Sequence, residues 1–184
     1  NSMAQFTSCV NNISYVPGLT NTAAALSLVD SSVLTVANGN RQQDPNLVIL
    51  VTDGVVTPGT NDPTVPAASI RNRPAPDNGI IFGVGVTGLN GNSSGTFYDL
   101  LLRITANKNY IFNVSSYANL PNIANNLVIT LGCKKQCYAD IGFIIETTEL
   151  VGQTGFNWEK QALNNLLNQF SFNSLTYNYN YTMN

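Results

Sequence analysis

The chain has 184 residues, of which 43% are hydrophobic and only 10% are charged, and its formal net charge is −2. Its length allows one ordinary domain with a sizeable core, and the slight negative charge argues against nucleic-acid binding. No apolar run approaches the roughly 18 residues that a membrane helix needs, so no membrane insertion is expected. His is absent, which excludes Ser-His-Asp and Cys-His catalysis and the commonest zinc sites.

Helices and strands are expected to alternate from the first residues onward. In chain order the patterns predict a helix over 3–13, a loop over 15–19, a helix over 20–36 capped by Thr20 or Asn21, a strand over 47–51, a short helix over 65–71 and a strand over 79–86. The two strands are continuous runs of Val, Ile, Leu and Phe, which is typical of strands buried on both faces.

The second half of the chain continues the alternation. The patterns predict a helix over 96–105 with Tyr98, Leu101 and Leu102 inward, a strand over 110–114, a helix over 120–131, a strand over 141–145, a helix over 156–170 and a half-buried strand over 175–181. Such alternation predicts an α/β fold with a doubly wound, mostly parallel sheet and helices on both faces.

The strand over 47–51 runs into Thr52-Asp53-Gly54. Open α/β sheets bind ligands beyond the carboxyl ends of their strands, so Asp53 is the first candidate functional residue. The competing interpretation is a simple turn, since Asp and Gly are both common in turns.

The glycine pattern of Gly83-Val84-Gly85-Val86-Thr87-Gly88 matches the G-x-G-x-x-G of dinucleotide-binding proteins. A nucleotide site would need a helix directly after this turn and an acidic residue about 20 positions on. Asn90 to Gly95 reads as a loop instead, and the downstream region offers Lys108. No nucleotide is therefore expected.

Four Asn-X-Ser/Thr sequons and three cysteines bear on the compartment. The sequons begin at Asn12, Asn92, Asn113 and Asn180, and the cysteines are Cys9, Cys133 and Cys137. The sequons and the low Lys content favour a secreted protein with N-linked glycans. The odd number of cysteines indicates a free thiol or a bond that leaves the chain, and the Cys133/Cys137 spacing does not suit zinc.

Two stretches taken together carry a family resemblance. Pro17-Gly18-Leu19-Thr20-Asn21-Thr22 opens an Ala-rich helix, and the strand over 47–51 ends in Thr-Asp-Gly. With the strand over 79–86, this arrangement resembles the von Willebrand factor A (VWA) domain, from about residue 6 to residue 131. The resemblance implies a doubly wound sheet with a metal-ion-dependent adhesion site at its carboxyl edge.

That adhesion site holds a divalent ion, usually Mg²⁺, and the resemblance assigns Thr20 and Asp53 to two of its ligand positions. The Asp-X-Ser-X-Ser loop that supplies the other ligands is matched only near the end of the chain, where Glu146 and Thr148 replace the Asp and the first Ser. Leu150 replaces the second Ser and cannot bind a cation. Bound Mg²⁺ is therefore expected with less than even odds.

In this chain, the segments that correspond to the family's first strand and first helix thus follow the segment that corresponds to its last helix. Residues 1–133 correspond to the last three quarters of a VWA domain, 134–139 to a junction, and 140–184 to the first strand, first helix and next strand. The chain is either a piece of a tandem array or one rotated unit. In a third arrangement, the last quarter completes the sheet of a neighbouring copy. In each case the strand over 141–145 must pair with a sheet, because an apolar strand is unstable alone.

The expected function is a non-enzymatic extracellular adhesion or assembly module. Its partner would be another protein, or neighbouring copies of the chain, bound at the carboxyl edge of the sheet. The main alternative is a structural matrix or filament-forming repeat with no bound metal. A nucleotide-dependent enzyme and a glycan-binding module are the remaining classes, and nothing in the sequence shows a sugar site.

Overall fold

The computed structural model describes residues 3–54, 57, 59–86, 95–130, 139–149 and 151–169. Its strands are β1 (Asn46–Thr52), β2 (Gly79–Val86), β3 (Ile111–Val114) and β4 (Asp140–Ile144). Its α-helices are α1 (Met3–Asn12), α2 (Thr22–Leu28), α3 (Thr64–Arg71), α4 (Gly95–Thr105), α5 (Ala124–Thr130) and α6 (Gly152–Leu167). A π-helical turn (Val29–Val33) extends α2, and 3₁₀ turns lie at Val36–Asn38, Lys108–Tyr110 and Tyr117–Ile123.

The strands form one parallel sheet in the order β3-β2-β1-β4. β1 is buried at every residue, as its continuous apolar run predicts. β4 pairs with β1 of the same chain, in a register that places Val48 beside Gly142 and Ile49 beside Phe143. The prediction that the strand over 141–145 joins a sheet is therefore confirmed, with the strand beginning one residue earlier and ending one residue earlier.

Alternate side chains of β1 enter two separate cores. Leu47, Ile49 and Val51 pack on one face with Leu127 of α5 and Phe156 and Leu166 of α6. Val48 and Leu50 pack on the other face with residues of α2, α3 and α4, among them Leu26, Ala67, Ile70, Leu101 and Ile104. Helices thus cover both faces of a parallel sheet, which confirms the doubly wound α/β prediction.

Three predicted helices differ from the observed ones. The helix predicted over 20–36 begins at Thr22, where the Asn21 side chain accepts a hydrogen bond from the Ala24 amide at 3.0 Å, and it changes to a π-helical turn after Leu28. The helix predicted over 120–131 is preceded by a 3₁₀ segment that contains Pro121. The helix predicted over 156–170 begins earlier, at Gly152, and the strand predicted over 175–181 lies outside the described residues.

The prediction of which α4 side chains face inward was wrong at one position. Tyr98 is 40% exposed, whereas its neighbour Phe97 is buried, and a Cβ on Gly54 would lie 2.1 Å from the Phe97 ring. Phe97 also explains part of the glycine pattern, because a Cβ on Gly85 would lie 2.8 Å from the same ring. A Cβ on Gly83 would lie 3.0 Å from Leu101. These two glycines therefore allow α4 to pack closely on β2, which accounts for them without a phosphate site.

Candidate functional site

The carboxyl edge of the sheet brings together residues from distant parts of the chain. Asp53 follows β1, Thr20 lies just before α2, and Glu146 and Thr148 follow β4. The Thr57 amide donates to the Thr20 carbonyl at 3.1 Å, which joins the segment after β1 to the segment before α2. All four candidate residues are buried, with 3% of Asp53, 6% of Thr148, 8% of Glu146 and 9% of Thr20 exposed.

Glu146 connects the other members of this group. The Thr20 hydroxyl donates to Glu146 Oε1 at 2.5 Å, and the Asp53 amide donates to Glu146 Oε2 at 3.0 Å. One carboxylate therefore ties the end of β4 to the end of β1 and to the start of α2. We call Thr20, Asp53 and Glu146 the carboxylate node. Hydrogen bonds to a charged acceptor are stronger than neutral ones, and burial of this acceptor makes their loss costly.

Thr148 lies beside the node. Its carbonyl accepts hydrogen bonds, whereas its hydroxyl forms none with the described residues. Its carbonyl accepts from the Tyr15 hydroxyl at 2.9 Å and from the Val151 amide at 3.1 Å. Its own hydroxyl is buried and has no hydrogen-bond partner in the part of the chain that the structure describes. The loop that follows β4 is thus fixed through its backbone, and the Thr148 hydroxyl remains available at the site.

The geometry fits a metal ion poorly. Each oxygen of Glu146 already accepts a hydrogen bond, from the Thr20 hydroxyl or from the Asp53 amide, so an ion would have to share these oxygens with the two donors. Across the described ranges, no group of three or more His, Cys, Asp or Glu side chains is placed to hold a metal ion. Leu150, which replaces a Ser ligand of the family's loop, lies outside those ranges. The carboxylate node links the elements that an ion would otherwise bridge.

A third buried acid lies below the node and was missed in the sequence. Glu159 of α6 is 1% exposed, and within the described residues neither of its carboxylate oxygens has a hydrogen-bond partner. It lines a small cavity whose other walls are apolar, formed by Ile49, Val51, Leu127, Leu166 and neighbouring side chains. Burial raises the pKa of the Glu159 carboxyl well above its usual range, and the charges of Glu146 and Asp53 raise it further, against a lowering by the backbone of Glu146. The surroundings of Glu159 therefore favour its neutral form.

Tyr117 belongs to the same buried region. Its hydroxyl has no hydrogen-bond partner among the described residues, and burial raises its pKa, with smaller contributions from Glu146, Asp53 and Glu159.

A sequence signal for Glu159 did exist. It lies three residues after Phe156 and four before Leu163, in the middle of the apolar stripe of its helix. A charged residue type at that position is an exception to helix amphipathicity.

Some of the predicted glycosylation sites and cysteines lie within the described residues, and the others lie outside them. Asn12, at the end of α1, and Asn113, in β3, are both exposed. Cys9 lies in α1 and is half-buried. Asn92, Asn180, Cys133 and Cys137 lie outside the described residues. Glycosylation and the pairing of the cysteines therefore stay predictions.

A comparison with known families decides the classification. The model of the von Willebrand factor type A domain matches residues 1–126. The chain belongs to the VWA family. The match covers the loop before α2, the strand that ends in Asp53, and β2, and it ends within α5. The family resemblance of these segments is thus confirmed, and the four-stranded parallel sheet agrees with it.

Two of three individual relatives are similar over a longer part of this VWA chain than the family match covers. Human vitrin is 29% identical over 174 residues, which is 88% of this chain and 24% of vitrin. The von Willebrand factor A domain-containing protein 2 of Xenopus laevis is 31% identical over 120 residues, 65% of this chain and 13% of that protein. The mouse collagen alpha-4(VI) chain is 25% identical over 172 residues, 86% of this chain and 7% of that protein. The chain thus spans about a quarter or less of these relatives.

Proposed function

We propose that this VWA domain is a non-enzymatic adhesion or assembly module that binds a protein partner at the carboxyl edge of its sheet. The observation that carries the proposal is the carboxylate node, a rigid polar centre with exposed apolar side chains beside it. Leu19, directly before Thr20, is 78% exposed, and Tyr98, next to the Phe97 that packs on Gly54, is 40% exposed. Large apolar side chains exposed at one end of the strands are candidates for contact with a partner, and the buried node beneath them fixes the elements that carry them.

The compartment and the domain order are part of the same proposal. The sequons and the similarity to a collagen chain support secretion and glycosylation. In the described residues no helix is both long and apolar enough to cross a bilayer. The similarity to human vitrin covers 88% of the chain and so runs beyond the 126 residues of the family match. Because β4 pairs with β1 of the same chain, this supports the arrangement in which residues 140–184 supply the opening elements of the same VWA sheet.

We further propose that binding does not require a metal ion. The hydrogen bonds of Glu146 already hold Thr20 and Asp53 in place, and an ion would compete with them. Calorimetric titration of the whole chain with Mg²⁺ tests this, and we expect no binding heat. A saturable heat that disappears in Asp53→Ala would overturn the metal-independent mechanism and restore a metal-dependent one.

The binding surface itself is tested by site-specific photo-crosslinking. A photoreactive amino acid is placed at Leu19 or, as a matched control, at Val36, which is 61% exposed and follows the π-helical turn near the opposite edge of the sheet. Each chain is exposed to a solubilised extracellular-matrix fraction and, separately, to itself alone. We expect a discrete adduct from position 19 that unlabelled chain competes away, and none from position 36. Equal adducts from both positions would contradict a dedicated surface at the carboxyl edge.

A structural repeat without a partner is the second candidate, and one observation favours it. Each oxygen of Glu146 accepts a hydrogen bond from within the carboxylate node, so these bonds hold the end of β4 to β1 and α2 with nothing bound. The same crosslinking experiment separates the two candidates. A structural repeat would give no competable adduct from position 19, while disruption of the node would still destabilise the fold.

A further inference from the structure

Charged residues are distributed unevenly between the two ends of the strands. β1, β2 and β4 are joined to the following α-helices by residues 53–63, 87–94 and 145–151. In the sequence these connecting segments contain neither Lys nor Arg, and their acidic residues are Asp53, Asp62, Glu146 and Glu149. Because the carboxyl ends of parallel strands meet at one edge of a sheet, the connections at that edge contribute acids and no cation.

Most cations of the described residues are already paired. At the amino ends of the strands, Arg41 and Arg73 each pair with two aspartates. Lys160 of α6 donates to two backbone carbonyls near the end of α1, and Arg103 pairs with Asp62. In its described residues, a second copy of the chain therefore offers few unpaired cations to the carboxyl edge. The complementary charge has to come from a different protein.

Two acids of the carboxyl edge are accessible to a partner. Glu149, in the loop after β4, and Asp99, in the first half of α4, are both exposed, and within the described residues neither forms an ion pair. Leu19 and Tyr98 add exposed apolar surface, with 78% and 40% of each residue exposed. The accessible part of this edge is thus both acidic and apolar.

The elements that carry these four side chains meet at the carboxylate node. The segment with Leu19 and the loop with Glu149 are joined by the hydrogen bond from the Thr20 hydroxyl to Glu146. α4 packs through Phe97 against the chain directly after the node's aspartate. The four side chains therefore belong to one surface.

Thr148 adds a hydrogen-bonding group with unused capacity at this centre. It is 6% exposed, and its hydroxyl has no hydrogen-bond partner among the described residues. It lines the same cavity as Thr20 and Glu146. Each oxygen of Glu146 accepts one hydrogen bond and retains a lone pair for a second. Oxygen acceptors beside a negative charge suit a cationic hydrogen-bond donor, such as a Lys ammonium or an Arg guanidinium.

We propose that the partner presents a positively charged segment to this edge, an inference that rests on the proposed function. Lys or Arg side chains of that segment contact Glu149 and Asp99, and its apolar side chains contact Leu19 and Tyr98. The stems of Lys and Arg pack on apolar surface while their charged ends reach the carboxylates. Complementary charge speeds association and rejects partners of like charge. Acidic segments, nucleic acids and sulfated glycans are therefore excluded as occupants.

NMR titration of the isotopically labelled full-length chain in the presence of EDTA tests the proposal. The probes are two peptides of equal length, one alternating Leu with Lys and the other alternating Leu with Glu. We expect the basic peptide to shift the amide signals of Leu19, Tyr98 and Glu149, and the acidic peptide to shift none of them. Raising the salt concentration from about 0.1 M to about 0.5 M should weaken binding of the basic peptide at least about threefold, because salt screens exposed charges.

A pair of double variants locates the charge that matters. Glu149→Gln/Asp99→Asn should weaken binding of the basic peptide at least about fivefold, because it removes the exposed charges that the Lys side chains contact. The matched control Gln42→Lys/Gln43→Lys changes the net charge by the same amount, but in an exposed turn before β1, at the amino ends of the strands. It should change the affinity by less than about twofold. Equal weakening in both double variants would overturn the proposal, because net charge alone would then explain the binding.

Two further results would overturn it. One is an acidic peptide that binds as tightly as the basic one, and the other is no shift at the carboxyl edge with either peptide at millimolar concentration. The titration uses defined peptides, whereas photo-crosslinking from position 19 requires a natural partner. An adduct from position 19 without a charge preference would contradict this inference alone. A charge preference without an adduct would contradict the proposed natural partner alone.

Discussion

Buried or half-buried acidic side chains lie at both ends of the parallel strands, which are the amino edge and the carboxyl edge of the sheet. The groups that surround these acids differ between the two ends. At the amino edge Asp77 accepts from Asn40 at 2.7 Å and Asn46 at 2.8 Å, and pairs with Arg73 at 2.9 Å. Arg73 also pairs with Asp30 at 3.0 Å. At the carboxyl edge Glu146 accepts only from an uncharged hydroxyl and an amide, and within the described residues it forms no ion pair. Below it, burial among apolar side chains raises the pKa of Glu159 and favours its neutral form instead.

This difference separates structural acids from those of the candidate site. Asp77 is surrounded by donors, and although burial opposes its charge, the hydrogen bonds and Arg73 lower its pKa. Its ionised form stabilises the fold in the ordinary way. Among the described residues, the carboxyl edge concentrates acidic groups without a matching Arg or Lys, a costly arrangement that is frequent at functional sites. The predictions below test this contrast, beginning with the largest expected effect.

The carboxylate node should be the most sensitive point. Glu146→Ala leaves the Thr20 hydroxyl and the Asp53 amide without their buried acceptor, and we expect it to reduce the free energy of unfolding by about 3 kcal/mol. Urea denaturation followed by circular dichroism measures this. Glu149→Ala, at an exposed position of the same loop, is the control and should change stability by less than about 0.5 kcal/mol. Equal losses in the two variants would show that the node is not a distinct structural unit.

Glu159 and Asp77 should give opposite pH dependences. The pKa of Glu159 in the folded chain lies above its ordinary value of 4.5. Above pH 4.5 the unfolded chain therefore releases a proton that the folded chain retains until the pH reaches the raised pKa. Stability therefore falls by about 1.4 kcal/mol per pH unit between 4.5 and the raised pKa. Glu159→Gln should remove this slope, so that its stability relative to wild type improves as the pH rises.

For Asp77 the sign is reversed. Because the pKa of Asp77 is lower in the folded chain, the ionised side chain stabilises the fold above its ordinary pKa of 3.8. This stabilisation is lost as the pH falls through the pKa of the folded chain. Asp77→Asn should therefore destabilise the protein near neutral pH and flatten the acid limb of the stability curve. Thermal unfolding of both variants from about pH 3 to about pH 9, on either side of the ordinary values of 3.8 and 4.5, checks the pair. Parallel curves for wild type and Glu159→Gln would mean that Glu159 is ionised in the fold.

Thr20→Val is the next smaller test of the node. It keeps the shape of the side chain but removes one donor to Glu146, while the Asp53 amide remains bound to it. We expect a loss of about 1.5–2 kcal/mol, roughly half that of Glu146→Ala. Thr20→Ser, which keeps the hydroxyl, should recover most of this stability. If Thr20→Ser were no more stable than Thr20→Val, loss of the hydroxyl would not account for the effect.

An exposed ion pair completes the series with the smallest expected effect. Arg103 contacts Asp62 at 3.0 Å, but more than half of each side chain is exposed. Arg103→Ala should reduce stability by less than about 0.5 kcal/mol, because water screens such pairs. Urea denaturation measures the change, and added salt should abolish it. A loss comparable to that of Thr20→Val would place this pair among the structural interactions and weaken the contrast between the edges.

Much of the architecture follows from the sequence alone. The apolar runs and their turn signals locate β1 and β2 to within a few residues, because a strand buried on both faces must be apolar throughout. The alternation of strands and helices predicts the doubly wound sheet, and Asp53 is identified by its place after a buried strand. Local periodicity could not choose between Phe97 and Tyr98 as the inward residue of α4, since the choice depends on the position of Gly54 across the sheet.

The tertiary structure alone decided the chemistry of the site. Thr20 and Glu146 are 126 residues apart in the chain, and only the pairing of β4 with β1 brings the carboxylate to the hydroxyl. The same pairing uses both oxygens of Glu146 and buries Glu159 among apolar side chains. Local sequence specifies which residues can form strands, helices and ligands. Desolvation and hydrogen-bond partners depend on contacts between distant segments, and these contacts decide whether an acidic group binds a metal ion, accepts a hydrogen bond or remains protonated.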